Sequence, residues 1–176
     1  MKSSPLTLSY TIEQAANASF LETPAALAYS TAMTEAILQQ SQQTLSRTTD
    51  GQGLYEMTRE ISDWTEGQDI ETGLLTRYCR HTSASLVIQE NADPDVMRDL
   101  QSFFKALVPE DTSLYRHLAE GADDMPAHIK GALTATSLGI PVTDGRLALG
   151  TWQGIYLFEH RFRPHRRDIV LHLQGT

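Results

Sequence analysis

Apolar positions along the chain repeat with two periods, and each period predicts its own kind of element. Between 93 and 109 the sequence runs Asp93-Pro94-Asp95, then Val96, Leu100, Phe103, Phe104 and Leu107, then Pro109. Spacings of three and four put these apolar side chains on one helix face. Asp93 can cap that helix and Pro94 suits its first position. Asp95 meets the positive end of the dipole, an interaction of about 0.3–1 kcal/mol. A second helix is predicted over 53–64, where Met57, Ile61 and Trp64 share a side, with shorter ones over 112–120 and 126–133. Extended runs at 74–89 (broken near His81), 138–142, 146–159 and 169–173 predict strands, with Asp144-Gly145 as a tight hairpin turn. Elements that cluster without regular alternation predict an α+β fold with a largely antiparallel sheet.

The first residues follow neither period strongly. Residues 1–42 are rich in Ala, Ser, Thr and Gln, and only a thin stripe of Leu27, Met33, Ile37 and Leu38 supports a helix over 25–43. They read as an N-terminal extension, partly helical or mobile, ahead of one domain at 43–176.

Composition narrows the function classes. A net charge of −8 argues against nucleic acid and anionic membranes, which need a basic face. Nothing in the chain is long and apolar enough for a bilayer span, and the N-terminus lacks the apolar core of a signal peptide. A cytoplasmic setting is the expectation. The single Cys79 excludes an internal disulfide and a thiolate-rich zinc site.

Candidate chemistry collects in four places. The densest is YRHLAEGADDMPAHIK at 115–130, with His117, Glu120, Asp123, Asp124 and His128. Imidazole and carboxylate are the usual ligands of divalent metals and the usual movers of protons near neutral pH. The spacing matches no strict zinc motif, and histidines satisfying buried hydrogen bonds remain an alternative. In HTSAS, an extended backbone puts His81, Ser83 and Ser85 on one face, which suits either a ligand or solvent. In QENAD, Asp93 is explained as a cap, while Glu90 and Asn91 are less so. In GTWQG, Gln153 shares a side with Ile155, Leu157 and Glu159, and a buried glutamine needs a partner. Arg161, Arg163, Arg166 and Arg167 form a local basic group beside His160 and His165.

Taken together, HTSASLVIQENADPD, YRHLAEGADDMPAHIK, IPVTDGRLALGTWQGIYLFEH and RRDIVLHLQG, in that order, resemble the YjbQ family, often labelled secondary thiamine-phosphate synthase. The resemblance covers roughly 43–176. It implies a single α+β domain with a β-sandwich and flanking helices, assembled as a homotrimer, with a polar pocket that sometimes holds a metal. Carried over by position, that pocket includes His81, Asn91, Asp93, His117, Asp124, His128 and Gln153. Imidazole chemistry makes His81, His117 and His128 the expected ligands of a divalent ion, zinc or magnesium. Asn91, Asp93, Glu120, Asp124 and Gln153 are the expected catalytic groups, and Ser83, Ser85, Lys130 and Arg163 the expected substrate contacts. The implied reaction joins a pyrimidine pyrophosphate to a thiazole phosphate. The alternative is a trimeric metal- or ligand-binding protein without a catalytic role.

Overall fold

The computed structural model describes residues 37–176. In chain order these form β1 (Gln39–Thr49), β2 (Gly53–Glu56), α1 (Thr58–Glu66), β3 (Thr72–Cys79), β4 (Ala84–Glu90) and α2 (Pro94–Leu107). After a 3-10 turn at Thr112–Leu114 come α3 (Asp124–Leu133), β5 (Ser137–Thr143), β6 (Arg146–Leu147), β7 (Gln153–Glu159) and β8 (His165–Gly175). The strands make two antiparallel sheets, ordered β1-β8-β3-β5-β6 and β2-β7-β4. The α+β class holds, with both sheets sharing one core.

β8 organises the larger sheet. It pairs with β1 from Gln39↔Gly175 to Thr49↔His165, and on its other edge with β3 from Gly73↔Gly175 to Cys79↔Ile169. Its period-two pattern buries Ile169, Leu171 and Leu173 against Leu75, Ile140 and Val142 of the same sheet and Leu86, Ile155 and Leu157 of the other. β7 is different, being buried along Gly154–Glu159 without alternation. Its second face lies under α2, where Phe104 meets Phe158 edge-on at 5.4 Å between centroids. Between β5 and β6, Asp144 (φ 51°) and Gly145 (φ 70°) both take the left-handed conformation of a two-residue hairpin turn.

Four local expectations change. Much of the expected 25–43 helix lies outside the described residues, and Gln39–Gln43 are strand, because the free edge of β8 offers a full backbone ladder that a thin apolar stripe cannot match. The expected 53–64 helix begins only at Thr58, since residues 53–56 pair with β7 as β2. The expected helix at 112–120 is a 3-10 turn of three residues. The 146–159 strand is interrupted, and Gln153 Oε1 accepts the Gly150 N–H at 2.9 Å to close the turn between β6 and β7. Among the described residues no helix is long and apolar enough to cross a membrane.

Among the described buried polar residues is one whose side chain lacks any partner. Arg77 of β3 is fully buried, and none of its three guanidinium nitrogens has a hydrogen-bond partner among the described residues. Burial pushes its pKa down to about 10. Arg77→Met keeps the volume and removes the desolvated charge, and is expected to stabilise the fold by about 1–3 kcal/mol. The urea midpoint reads this out. A loss of stability would show that the guanidinium is held by a partner in solution.

A candidate metal centre beside a cavity

Asp124 and His128 stand one helical turn apart at the start of α3 and so share a face. The preceding segment returns His117 to the same place. His117 Nε2 lies 2.8 Å from Asp124 Oδ2, and His128 Nε2 lies 3.4 Å from that same oxygen. The three donor atoms are all within 4.8 Å of one another. Asp124 is almost completely buried, and its other oxygen accepts from Arg161 Nη1. Arg161 also donates through Nε to Asp123 Oδ2 at 3.0 Å and through Nη2 to the Glu120 carbonyl at 2.8 Å. The guanidinium thus fixes the carboxylate from behind and leaves one oxygen facing two imidazoles.

Asp123 is spent on the same clamp. Burial alone would raise its carboxyl, but the Phe162 N–H at 2.8 Å and Arg161 outweigh that and hold it below the usual range. Asp123 stands at the N-cap position of α3, but its side chain makes no capping hydrogen bond.

The Thr82 carbonyl selects the His128 tautomer. It lies 3.3 Å from Nδ1, and since a carbonyl only accepts, Nδ1 carries the proton. In a neutral ring, Nε2 then points a lone pair at the Asp124 carboxylate. A second proton on the ring or a cation between the two resolves that opposition. Gly131 permits the close approach, because a Cβ there would stand 2.9 Å from the Thr82 oxygen.

Two imidazole nitrogens and one carboxylate oxygen fit zinc or a similar borderline ion better than magnesium, which prefers an all-oxygen shell. Tetrahedral bonds of about 2.0–2.1 Å put neighbouring ligand atoms roughly 3.3 Å apart, near the 3.4 Å between His128 Nε2 and Asp124 Oδ2. Three protein ligands leave a fourth position for water or substrate. His128 also lines a cavity of about 480 Å³ together with Tyr78, Arg80, His81, Thr82 and Thr136.

The other expected site residues are distributed more widely. His81 lines the cavity but stands outside the three-residue cluster, and its Nε2 accepts the Asp168 N–H at 2.7 Å. Burial, then the nearby Arg167, lowers its pKa, so the ring is neutral with its proton on Nδ1. Ser83 and Ser85 are buried, and Ser85 Oγ lies 2.9 Å from His160 Nε2. Glu120 is exposed, 3.9 Å from Arg161. Arg163 is exposed and lines neither this cavity nor the one described below. Lys130 is buried, on the opposite side of α3 from His128. Asn91, Asp93 and Gln153 sit at the far end of β4, roughly 20 Å away along an extended strand. There Asn91 Nδ2 reaches Glu56 Oε1 at 3.4 Å, and Asp93 Oδ1 accepts the Asp95 N–H at 2.8 Å as the α2 cap. Within one chain the structure brings together His117, Asp124 and His128 beside His81, and leaves the Asn91 group apart.

Comparison with known proteins agrees with this fold. The UPF0047 YjbQ-like family matches residues 42–176. The chain belongs to that family. A UPF0047 protein of Synechocystis is 54% identical over 140 residues, 80% of this chain and 95% of that protein. A conserved hypothetical protein from Thermus thermophilus superposes with a TM-score of 0.65 at 35% identity, over 73% of this chain and 97% of that one. A YbjQ-like protein of unknown function from Sulfolobus solfataricus, at 23% identity, shares the fold with a TM-score of 0.73 over 79% and 99% of the two chains.

This UPF0047 chain also holds a buried polar group that the sequence reading passed over. Glu159 accepts from Arg167 Nη2 at 2.5 Å and Nε at 2.6 Å, from Thr49 Oγ1 at 2.9 Å, and from the His160 and Arg161 N–H groups at 3.0 Å each. The signal was present: strand alternation puts Glu159 on the face of Ile155 and Leu157, where a carboxylate requires a cation. His160 beside it is pushed down to about 3, by burial first and then by the Lys130 charge, so it stays neutral.

Proposed function

We propose that this protein is a metal-dependent enzyme acting on a small phosphorylated metabolite, working as a homotrimer. The observation that carries the reading is His117, Asp124 and His128 converging on one point at the side of the His81 cavity. His117, Asp124 and His128 would hold a divalent ion there, which would supply Lewis acidity next to the cavity. The protein's own groups do the rest. Arg161 and the Thr82 carbonyl lock the ligand side chains, as surrounding hydrogen bonds do in metal sites generally. Arg80, exposed at the cavity, offers the fork that suits a phosphate, and His81 offers a neutral Nδ1–H donor. Exposed Leu74, Tyr78, Phe103, Leu107 and Trp152 are apolar area that a trimer would cover.

The specific reaction proposed for testing is thiamine-phosphate synthesis, with pyrophosphate leaving. Within the basic group near the C-terminus, Arg161 is committed to Asp123 and Asp124, and Arg166 donates to Ser46 Oγ at 2.8 Å. Arg80 is the arginine that lines the cavity. The test is incubation with the pyrimidine pyrophosphate, the thiazole phosphate and Zn²⁺ or Mg²⁺, alongside a panel of phosphomonoesters. Turnover by the wild type that His128→Ala lowers by about 100-fold or more is the expected result. Absence of any product above a boiled control, for both the pair and the panel, sinks the enzymatic reading.

A further inference from the structure

A second cavity, of about 250 Å³, lies on the other side of α3, under α2 and against the end of β7. His128 and Lys130 are two residues apart, roughly 200° around the helix, so α3 separates the two cavities. We infer that this second cavity binds a small phosphate-bearing anion, independently of the metal centre.

The charges around it argue for an anion. Lys130 lines it while only 4% exposed, and its nearest carboxylate, Glu110, is 3.7 Å away, beyond hydrogen-bond reach. Lys105 of α2 adds a second ammonium at the rim. Glu159 also lines the cavity, yet its charge is already answered by Arg167. Glu110 accepts from Gln52 Nε2 at 3.0 Å, and Gln52 itself lines the cavity. One carboxylate thus stands against two ammonium groups, an excess of positive charge that a phosphate can meet with charge-assisted hydrogen bonds.

The interior argues for a built site. The His160 ring forms part of the wall, 1% exposed, with Nε2 on Ser85 and Nδ1 without a hydrogen-bond partner among the described residues. Buried polar atoms are normally satisfied, so an orphaned imidazole nitrogen in the wall beside a buried lysine leaves unmet hydrogen-bonding capacity there. Phe104 and Phe158 give the remaining wall an apolar aromatic character, suited to the carbon part of a phosphomonoester.

Isothermal titration of the full chain with inorganic phosphate, at constant ionic strength in chloride, tests this. The expected result is saturable binding with a Kd below about 1 mM. Lys105→Met, an exposed change that leaves the fold intact, is expected to weaken it by about tenfold or more, and Lys130→Gln by at least as much. His117→Ala, on the other cavity, is expected to leave it unchanged. Absence of phosphate binding overturns the inference. So does an unchanged affinity in Lys105→Met, or a loss in His117→Ala, which would place the anion at the metal centre. Because His117→Ala also reports on the metal, failure here is separable from failure of the enzymatic reading.

Discussion

Replacing Asp124 by alanine is expected to abolish metal binding and to cost about 3–5 kcal/mol of stability together. Both effects follow from one side chain. Its Oδ2 faces His117 and His128, and its Oδ1 is the partner of Arg161, which is itself largely buried. Removing the carboxylate leaves a guanidinium that keeps Asp123, the Glu120 carbonyl and, at 3.9 Å, the Glu120 carboxylate. Breaking one half of a buried pair is costly because the surviving charge stays desolvated. Asp124→Asn separates the two effects. It keeps the shape and one acceptor for Arg161, so it should recover part of the stability while metal affinity stays low. Urea unfolding and metal titration of the three proteins check this. If Asp124→Ala binds metal like the wild type, the cluster is a structural ion pair alone.

Glu159→Ala is expected to be as severe, about 3–5 kcal/mol, with no direct effect on the metal. The carboxylate is fully buried and receives five hydrogen bonds, two of them from Arg167. Burial by itself would raise its pKa, but Arg167, the Arg161 N–H and Thr49 outweigh burial and hold it below the usual range. A depressed folded-state value fixes the sign of the pH effect. The contribution is present in full above the unfolded value of about 4.3 and is lost as the pH falls from there through the folded value. The wild type should therefore lose stability steeply below about pH 4, and Glu159→Gln should start lower and show a flatter acid limb. Denaturant midpoints between pH 3 and 7 decide it. Equal slopes in the two proteins would mean that Glu159 does not govern acid unfolding.

How legible this was depended on whether the signal was local. α2 was readable because cap, proline and apolar period all lie within Asp93–Pro109, and the Asp144-Gly145 turn needs only its own two residues. β1 was not, since nothing inside Gln39–Thr49 announces a strand, and its ladder is supplied by β8 more than a hundred residues later. The candidate site divides the same way. Asp124 and His128 are helix neighbours and could be paired on spacing alone, whereas Arg161 reaches Asp124 only through the fold. The polar row His81, Ser83, Ser85 illustrates the limit of alternation. It identified a shared face but not what covers it: both serines are buried, and Ser85 Oγ meets His160 Nε2. Lys130 stands two residues from His128 in sequence, yet helical geometry puts the two on different cavities.

The most direct test of the account is the metal itself. Full-length protein stripped with chelator and dialysed is titrated with Zn²⁺, and the bound ion is quantified and its ligands read by X-ray absorption. The account predicts one ion per chain, held by two imidazole nitrogens and a carboxylate oxygen, and lost in His117→Ala and in His128→Ala while both variants stay folded. A wild type that takes up no stoichiometric ion, or variants that bind it as the wild type does, would contradict it.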